Sequence, residues 1–262
     1  MSLRGDGVRD DIGAAYDASA AAWRDRPAQV YARLAAALLD AAPQRVAGAR
    51  VLDLGAGTGV ASAAALERGA VSAVATDLAP GMLQGLPAPV RVVVGDAAAL
   101  PFADRSFDLV LAAMVLGHLP DPARAVREAR RVAPALLASA FDPAWAHPAK
   151  SAVDAAMTGF GFESPRWYRE IKAHTAAVED PEALAGLARE AGYRDVGVVR
   201  VEVDAGLEDP GAVVDWRWGM AHLAPFVATL APADLARARR TAEEAVAGMP
   251  PVVVPLLVLS AR

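Results

Sequence analysis

The stretch Val51-Leu-Asp-Leu-Gly-Ala-Gly-Thr-Gly59 decides how this chain is read. Val51 to Leu54 is a short apolar run carrying one acid, the pattern of a buried parallel strand. Gly55, Gly57 and Gly59 follow at alternate positions, and Val60 to Glu67 then reads as a helix. A strand, a glycine turn and a helix start in succession let backbone approach a ligand closely. Asp53, inside the strand, sets a carboxylate beside the turn, which repels phosphate and favours a cationic or hydroxyl-bearing partner. The dinucleotide pattern G-x-G-x-x-G is not met, because Val60 stands where the third glycine belongs. The triphosphate loop needs Lys followed by Ser or Thr, and Val60-Ala61-Ser62 has no Lys. The turn suits a nucleoside ligand without a pyrophosphate; the plainer alternative is a glycine-rich turn with no ligand.

Composition narrows the classes. Of 262 residues 55% are hydrophobic, enough for one large domain or two small ones. A net charge of -5 argues against a general nucleic-acid binder. The absence of cysteine excludes disulfides, thiolate nucleophiles and thiolate-bound zinc. The N-terminus carries Arg4, Asp6, Arg9, Asp10 and Asp11 with no apolar run, unlike a signal peptide. Val252 to Leu259 contains Pro255 and is too short to span a bilayer. These features lead us to expect a cytoplasmic protein with no membrane partner.

The rest of the chain extends the pattern. Asp10 to Asp25 and Ala28 to Ala41 read as helices, the second ended by Pro43. Tyr16 and Trp23 lie on the first, as part of a closing cover or simply as packing onto the core. Strands are expected at Val71 to Thr76, Val90 to Val94, Leu109 to Ala113 and Ala135 to Phe141, with helices between them. Such alternation implies a parallel sheet with helices on both faces. Asp77 ends the second strand, placed either to accept from ribose hydroxyls or to cap the turn through Pro80 and Met82. Asp96 ends the third, as an acceptor for an exocyclic amine or as a turn aspartate. Arg124, Arg127, Arg130 and Arg131, with Glu128, read as a solvated helix face. Beyond Phe141 come aromatic-rich helical segments, too long for bare connections, which either cover a ligand or pack a layer onto the sheet. A last strand is expected to begin near Pro255.

These motifs resemble the class I S-adenosylmethionine-dependent methyltransferases of the small-molecule branch. Val51 to Gly59 looks like that family's first motif, and Val74-Ala-Thr-Asp77-Leu-Ala-Pro-Gly-Met82 like its second. Val93-Val-Gly-Asp96-Ala97 and Phe107-Asp108 through Pro122 resemble the third and fourth. The resemblance covers Val46 to Phe141 and implies a doubly wound α/β fold. That fold has a mostly parallel seven-stranded sheet, an antiparallel last strand beside the fifth, helices on both faces and helical lid segments. The expected division is one domain over 1–262. It comprises a helical cap (1–45), a cofactor core (46–142), lids (143–179 and 204–250) and the remaining sheet (180–203 and 251–262).

The resemblance further implies S-adenosylmethionine as cofactor. Gly55, Ala56 and Gly57 would lie near its methionine portion, and Asp53 would accept from its ammonium or hold the turn. Asp77 would bind ribose, Asp96 and Ala97 adenine, and Leu78 and Met82 would pack on the nucleoside. Tyr16, Ala113 and Met114 would line the reacting end. His118 is a candidate base or orienting group, or else a capping histidine before Pro120. The histidines, His118, His147, His174 and His222, lack ligand spacing, so no metal is expected. The implied reaction moves a methyl group to O, N or C of a small-molecule acceptor, with a place in secondary metabolism the corresponding expectation. The alternative is a cofactor-binding relative that catalyses a non-methylating step such as cyclisation.

Overall fold

The computed structural model describes residues 3–42, 46–174, 178 and 180–262; of residues 3–6, 8 and 174 it describes the backbone alone. Pro43, expected to end the second helix, and the side chain of His174 lie outside the described residues. Two helices come first, α1 (Leu3–Asp25) and α2 (Pro27–Ala41). The alternating core follows as β1 (Arg50–Leu54), α3 (Val60–Glu67), β2 (Ser72–Asp77), β3 (Arg91–Val94), β4 (Leu109–Ala113), α4 (Pro122–Val132) and β5 (Ala135–Phe141). Then come α5 (Pro148–Thr158), α6 (Arg166–His174), α7 (Pro181–Glu190), β6 (Val196–Asp204), α8 (Pro210–Trp218), α9 (Ala224–Val227), α10 (Pro232–Val246) and β7 (Val253–Ala261).

One seven-stranded sheet runs in the order β3-β2-β1-β4-β5-β7-β6. β1 to β5 are parallel, and β7 is antiparallel to both β5 and β6. The central strands are apolar on both faces because helices cover both faces. Their side chains divide by period two. Val51, Leu109, Leu111, Leu137 and Val258 pack with α2, α3, α5 and α10 on one side. Leu52, Leu54, Val110, Leu136 and Leu259 pack with α4 and α7 on the other. Leu38, Leu52, Leu111 and Leu136 are fully buried, each contributing about 1.5–3 kcal/mol relative to exposure.

Two local expectations change. β7 begins at Val253, two residues before Pro255. Pro255 sits inside the strand at little cost. Its carbonyl accepts from Asp142 N, just past the last residue of β5, so its missing N–H faces a place where the ladder has ended. The arginine face of α4 is also not simply solvated. Arg131 binds Glu128 and Asp104 and donates to the carbonyls of Leu100 and Phe102, clamping the loop before β4. No described helix is long and apolar enough to cross a membrane.

Strand order reverses between β1 and β4, which makes their carboxyl ends the crevice of the sheet. α1 lies over that crevice. Asp17 accepts from Gly81 N, and Arg24 donates to the carbonyls of Gly81 and Gln84, tying the helix to the loop after β2.

Candidate active site

Gly55 and Gly57 adopt φ +65 and +54, the left-handed region that side chains resist. A Cβ on Gly55 would fall 2.2 Å from Val115 Cγ2, so that position has room only for backbone. Two carboxylates fix it. Asp77 Oδ2 accepts from Gly57 N at 2.8 Å and its Oδ1 from Ala79 N at 2.9 Å, which joins the turn to the end of β2. Asp53 is fully buried, and its Oδ2 accepts from Ser62 N at 2.8 Å and Ser62 Oγ at 2.7 Å, anchoring the start of α3. Its Oδ1 is buried with no protein partner. Burial pushes the Asp53 carboxyl up to about 6, opposed by the two bonds from Ser62. Asp77 is raised too, again by burial, with the N–H groups of Ala79 and Gly57 pulling the other way.

These groups border a cavity of about 450 Å³. Asp53, Gly55, Ala56, Gly57, Asp77 and Leu78 line it, as do Met82, Asp96, Ala97, Ala113 and Met114. Tyr16 and His118 complete the set, so the candidate cofactor and catalytic residues from the sequence line one space, whereas Gly59 of the turn does not. Sequence reasoning did not single out Arg9, whose Nη1 donates to Asp96 Oδ2 at 3.0 Å across 87 residues of sequence. Asp96 Oδ1 accepts from Ala98 N at 2.8 Å. The polar wall is therefore rich in carboxylate acceptors and holds no lysine on the glycine turn. Such an acceptor set fits hydroxyl and amine groups, as a nucleoside carries, and disfavours phosphate. Apolar Leu78 and Met82 beside it fit a flat ring.

At the other end Met114 has φ +60, an uncommon conformation for a long side chain and one that clusters at functional sites. Ser139 holds it there, since Met114 N donates to both the carbonyl and the hydroxyl of Ser139 at 3.2 Å. The Tyr16 hydroxyl faces His118 Nδ1 at 3.5 Å, and the two rings meet edge to face with centroids 5.8 Å apart. Burial raises the Tyr16 phenol well above its ordinary value, reinforced by Tyr31, Tyr168 and Asp77. Burial lowers His118 to about 4, with Lys172 adding to it. At neutral pH the pair is a protonated phenol beside a neutral imidazole.

A smaller chamber of about 60 Å³ adjoins this end and shares Tyr16, Tyr31, Met114 and His118 with the first. The segments 143–179 and 204–250 supply much of its wall, including Trp145, Trp167, Tyr168, Trp216, Arg217 and His222. Ser62, Val115, Ser139 and Arg217 were also not singled out by sequence reasoning. For Ser62 a signal existed, a hydroxyl two residues inside a helix that follows a buried acid. Among the described residues no cluster of three His, Asp or Glu is arranged to hold a metal ion.

A family model described as a methyltransferase domain matches residues 52–134. The chain is 41% identical over 148 residues to a malonyl-[acyl-carrier protein] O-methyltransferase of Halorhodospira halophila, covering 52% of this chain and 50% of that protein. It is 39% identical over 124 residues to a demethylmenaquinone methyltransferase of Corynebacterium efficiens, covering 47% and 52%. The chain thus spans about half the length of these curated relatives. Among solved structures, a putative methyltransferase from an antibiotic biosynthesis pathway of Anabaena variabilis superposes with a TM-score of 0.56. It is 18% identical, and the match covers 81% of this chain and 90% of that one, a likeness of fold.

Proposed function

We propose that the chain is a class I S-adenosylmethionine-dependent methyltransferase that transfers a methyl group to a small-molecule acceptor, a reading supported by the methyltransferase-domain match over residues 52–134 and by the named relatives. The observation that carries the reading is the single cavity into which the glycine turn, Asp77, Asp96, Tyr16 and His118 all open. In this reading Asp77 and Asp96 hold the ribose hydroxyls and the adenine amine. Gly55 and Gly57 admit the methionine portion, and Leu78 and Met82 sandwich the nucleoside. Bound S-adenosylmethionine supplies an already activated methyl group on its sulfonium.

The protein's own part is then alignment and exclusion of water. Met114, fixed by Ser139, and Tyr16 on α1 form the passage between the two chambers. Neutral His118 takes the proton released by a hydroxyl or amine acceptor at Nδ1, directly or through the Tyr16 hydroxyl. α1, tied to the loop after β2, closes the roof. The aromatic second chamber favours an acceptor with an apolar, planar body. The two curated relatives described above are named for methyl transfer, one to malonyl-[acyl-carrier protein] and one to demethylmenaquinone, which supports the reaction class and leaves the acceptor to this chain's own second chamber.

The test is calorimetry with S-adenosylhomocysteine together with methyl-labelled cofactor and a panel of aromatic acceptors. Binding of the first and acceptor-dependent transfer of label are expected. Tight binding with no acceptor-dependent release of label from any panel member would move the chain to a non-methylating use of the fold. Binding of NAD with none of S-adenosylhomocysteine would overturn the reading altogether.

A further inference from the structure

One wall of the second chamber is a continuous ladder of cations and indoles. Lys150 Nζ lies 4.0 Å from the centre of the Trp145 ring. The Trp145 and Trp216 rings are 6.4 Å apart and tilted by 33°. The Arg217 guanidinium lies 5.6 Å from the Trp216 ring centre. Arg217 is 2% exposed, and its position is rigidly set. Its Nη2 donates to both carboxylate oxygens of Asp154, at 2.7 and 2.9 Å, and meets His222 Nε2 at 3.2 Å. Arginine only donates, so His222 Nε2 accepts and the ring proton sits on Nδ1. His222 is in turn stacked on Tyr168, 4.0 Å between centres and within 2° of parallel.

This wall has more donors than acceptors. Arg217 Nε, Trp145 Nε1 and Trp216 Nε1 are all buried without a hydrogen-bond partner. Three unmet donors on adjoining side chains carry a desolvation cost that an acceptor group would relieve once these side chains turn toward it. Among the described residues lining the chamber there is no Asp or Glu, whereas Lys150, Lys172 and Arg217 are all present. Asp154 balances Arg217 from outside the lining.

We propose that this wall recognises an anionic head on the acceptor, namely a carboxylate carried by a planar aromatic compound, bound by Arg217, Trp216 and Trp145. The inference deepens the methyl-transfer reading and rests on it for the identity of the guest as acceptor. The chamber of about 60 Å³ takes the carboxylate head beside Phe141 and Trp167, and the aromatic body extends past Tyr16 and Met114 into the larger cavity, where the two chambers meet. The neutral amide or ester of the same compound lacks the charge and part of the acceptor capacity, so it is discriminated against.

The experiment titrates the full chain, with and without saturating S-adenosylhomocysteine, with benzoate, 4-hydroxybenzoate and 2-naphthoate, each paired with its primary amide. Tryptophan fluorescence and calorimetry give the affinities. At least one acid is expected to bind about tenfold or more tightly than its amide, the scale of one hydrogen bond to a charged group. Arg217→Gln should bring that ratio below about threefold. Trp216→Phe, which keeps a ring and loses the N–H, should lower the ratio severalfold with circular dichroism unchanged; it decides the matter if Arg217→Gln does not fold. Acid and amide binding alike, or neither binding at all, overturns the proposal, as does a ratio that survives in the folded variants. Acid preference without any binding of S-adenosylhomocysteine would sink methyl transfer and leave this recognition wall standing.

Discussion

Asp77→Asn changes the acceptor capacity of the site almost without changing its shape. The native carboxylate accepts one bond on each oxygen, from Gly57 N at 2.8 Å and Ala79 N at 2.9 Å. An amide keeps one of these and turns an NH2 against the other N–H. Losing a hydrogen bond to a charged group costs about 1.5–3 kcal/mol, and relief of carboxylate burial, which raises the native pKa, returns part of that. A net loss of about 1 kcal/mol, or a Tm lower by roughly 2–4 °C for a chain of this size, is expected. Ligand affinity should suffer more. A ribose presents two hydroxyl donors, and losing one charge-assisted bond weakens S-adenosylhomocysteine binding by about 10- to 100-fold. The 2′-deoxy and 3′-deoxy analogues complete a double-substitution cycle. Each should bind the native chain about tenfold or more weakly than the parent compound, and that difference should shrink on Asp77→Asn. A folded variant that binds within threefold of native, with deoxy discrimination intact, would show that Asp77 serves only the turn.

Gly55→Ala must bear a left-handed φ and a Cβ placed 2.2 Å from Val115 Cγ2. The backbone conformation alone costs roughly 1–2 kcal/mol, so thermal melts should show a loss of several degrees that adding Val115→Ala partly restores; an unchanged melt refutes the packing argument. Arg9→Met removes a pair whose side chains are 39% and 28% exposed, a contact worth at most about 1 kcal/mol. It also frees Asp96 Oδ2, so S-adenosylhomocysteine should bind equally or up to severalfold more tightly, and a tenfold loss by calorimetry would make Arg9 a direct ligand contact. His118→Gln should lower turnover by roughly 10²-fold with cofactor affinity unchanged. Because burial holds native His118 at about 4, native turnover should stay level from pH 8 to about 5 and fall only toward 4; an acid limb near 6.5 contradicts this. The same depressed value means that His118 contributes stability above its unfolded pKa of about 6.5, lost as pH falls toward the folded value. Melting temperatures between pH 7.5 and 4.5 should therefore fall less steeply in His118→Gln than in the native chain.

The sequence carries the core because its signals are local. A strand, three glycines and a helix start lie within about twenty residues, and acids at the ends of β2 and β3 follow from strand spacing alone. What stayed hidden depends on contacts between distant segments. Arg9 meets Asp96 only because α1 folds back over the sheet, and Arg217 meets Asp154 only because α8 packs near α5. The tryptophans after Phe141 were visible as aromatics. That Trp145 and Trp216 adjoin, and that their N–H groups go unmet, is a property of packing. Asp77 shows why two readings of one residue need not compete. It accepts from Ala79 N as a turn aspartate and at the same time lines the cavity, since a carboxylate has lone pairs for both. Arg124 and Arg127 on α4 are exposed, as a solvated face would be, but the clamp made by Arg131 was hidden because carbonyl acceptors on a neighbouring loop leave no mark in a charge pattern.

β7 is the seventh strand in the chain but the sixth in the sheet, seated between β5 and β6. A ribosome that has passed Val252 has therefore made both neighbours of a missing plank. Until Val253 to Ala261 emerge, the β5 edge lies bare and β6 has no strand to join it to the rest. The seven-stranded sheet therefore cannot be completed before the segment that follows both of its neighbours in the chain is available to slot between them.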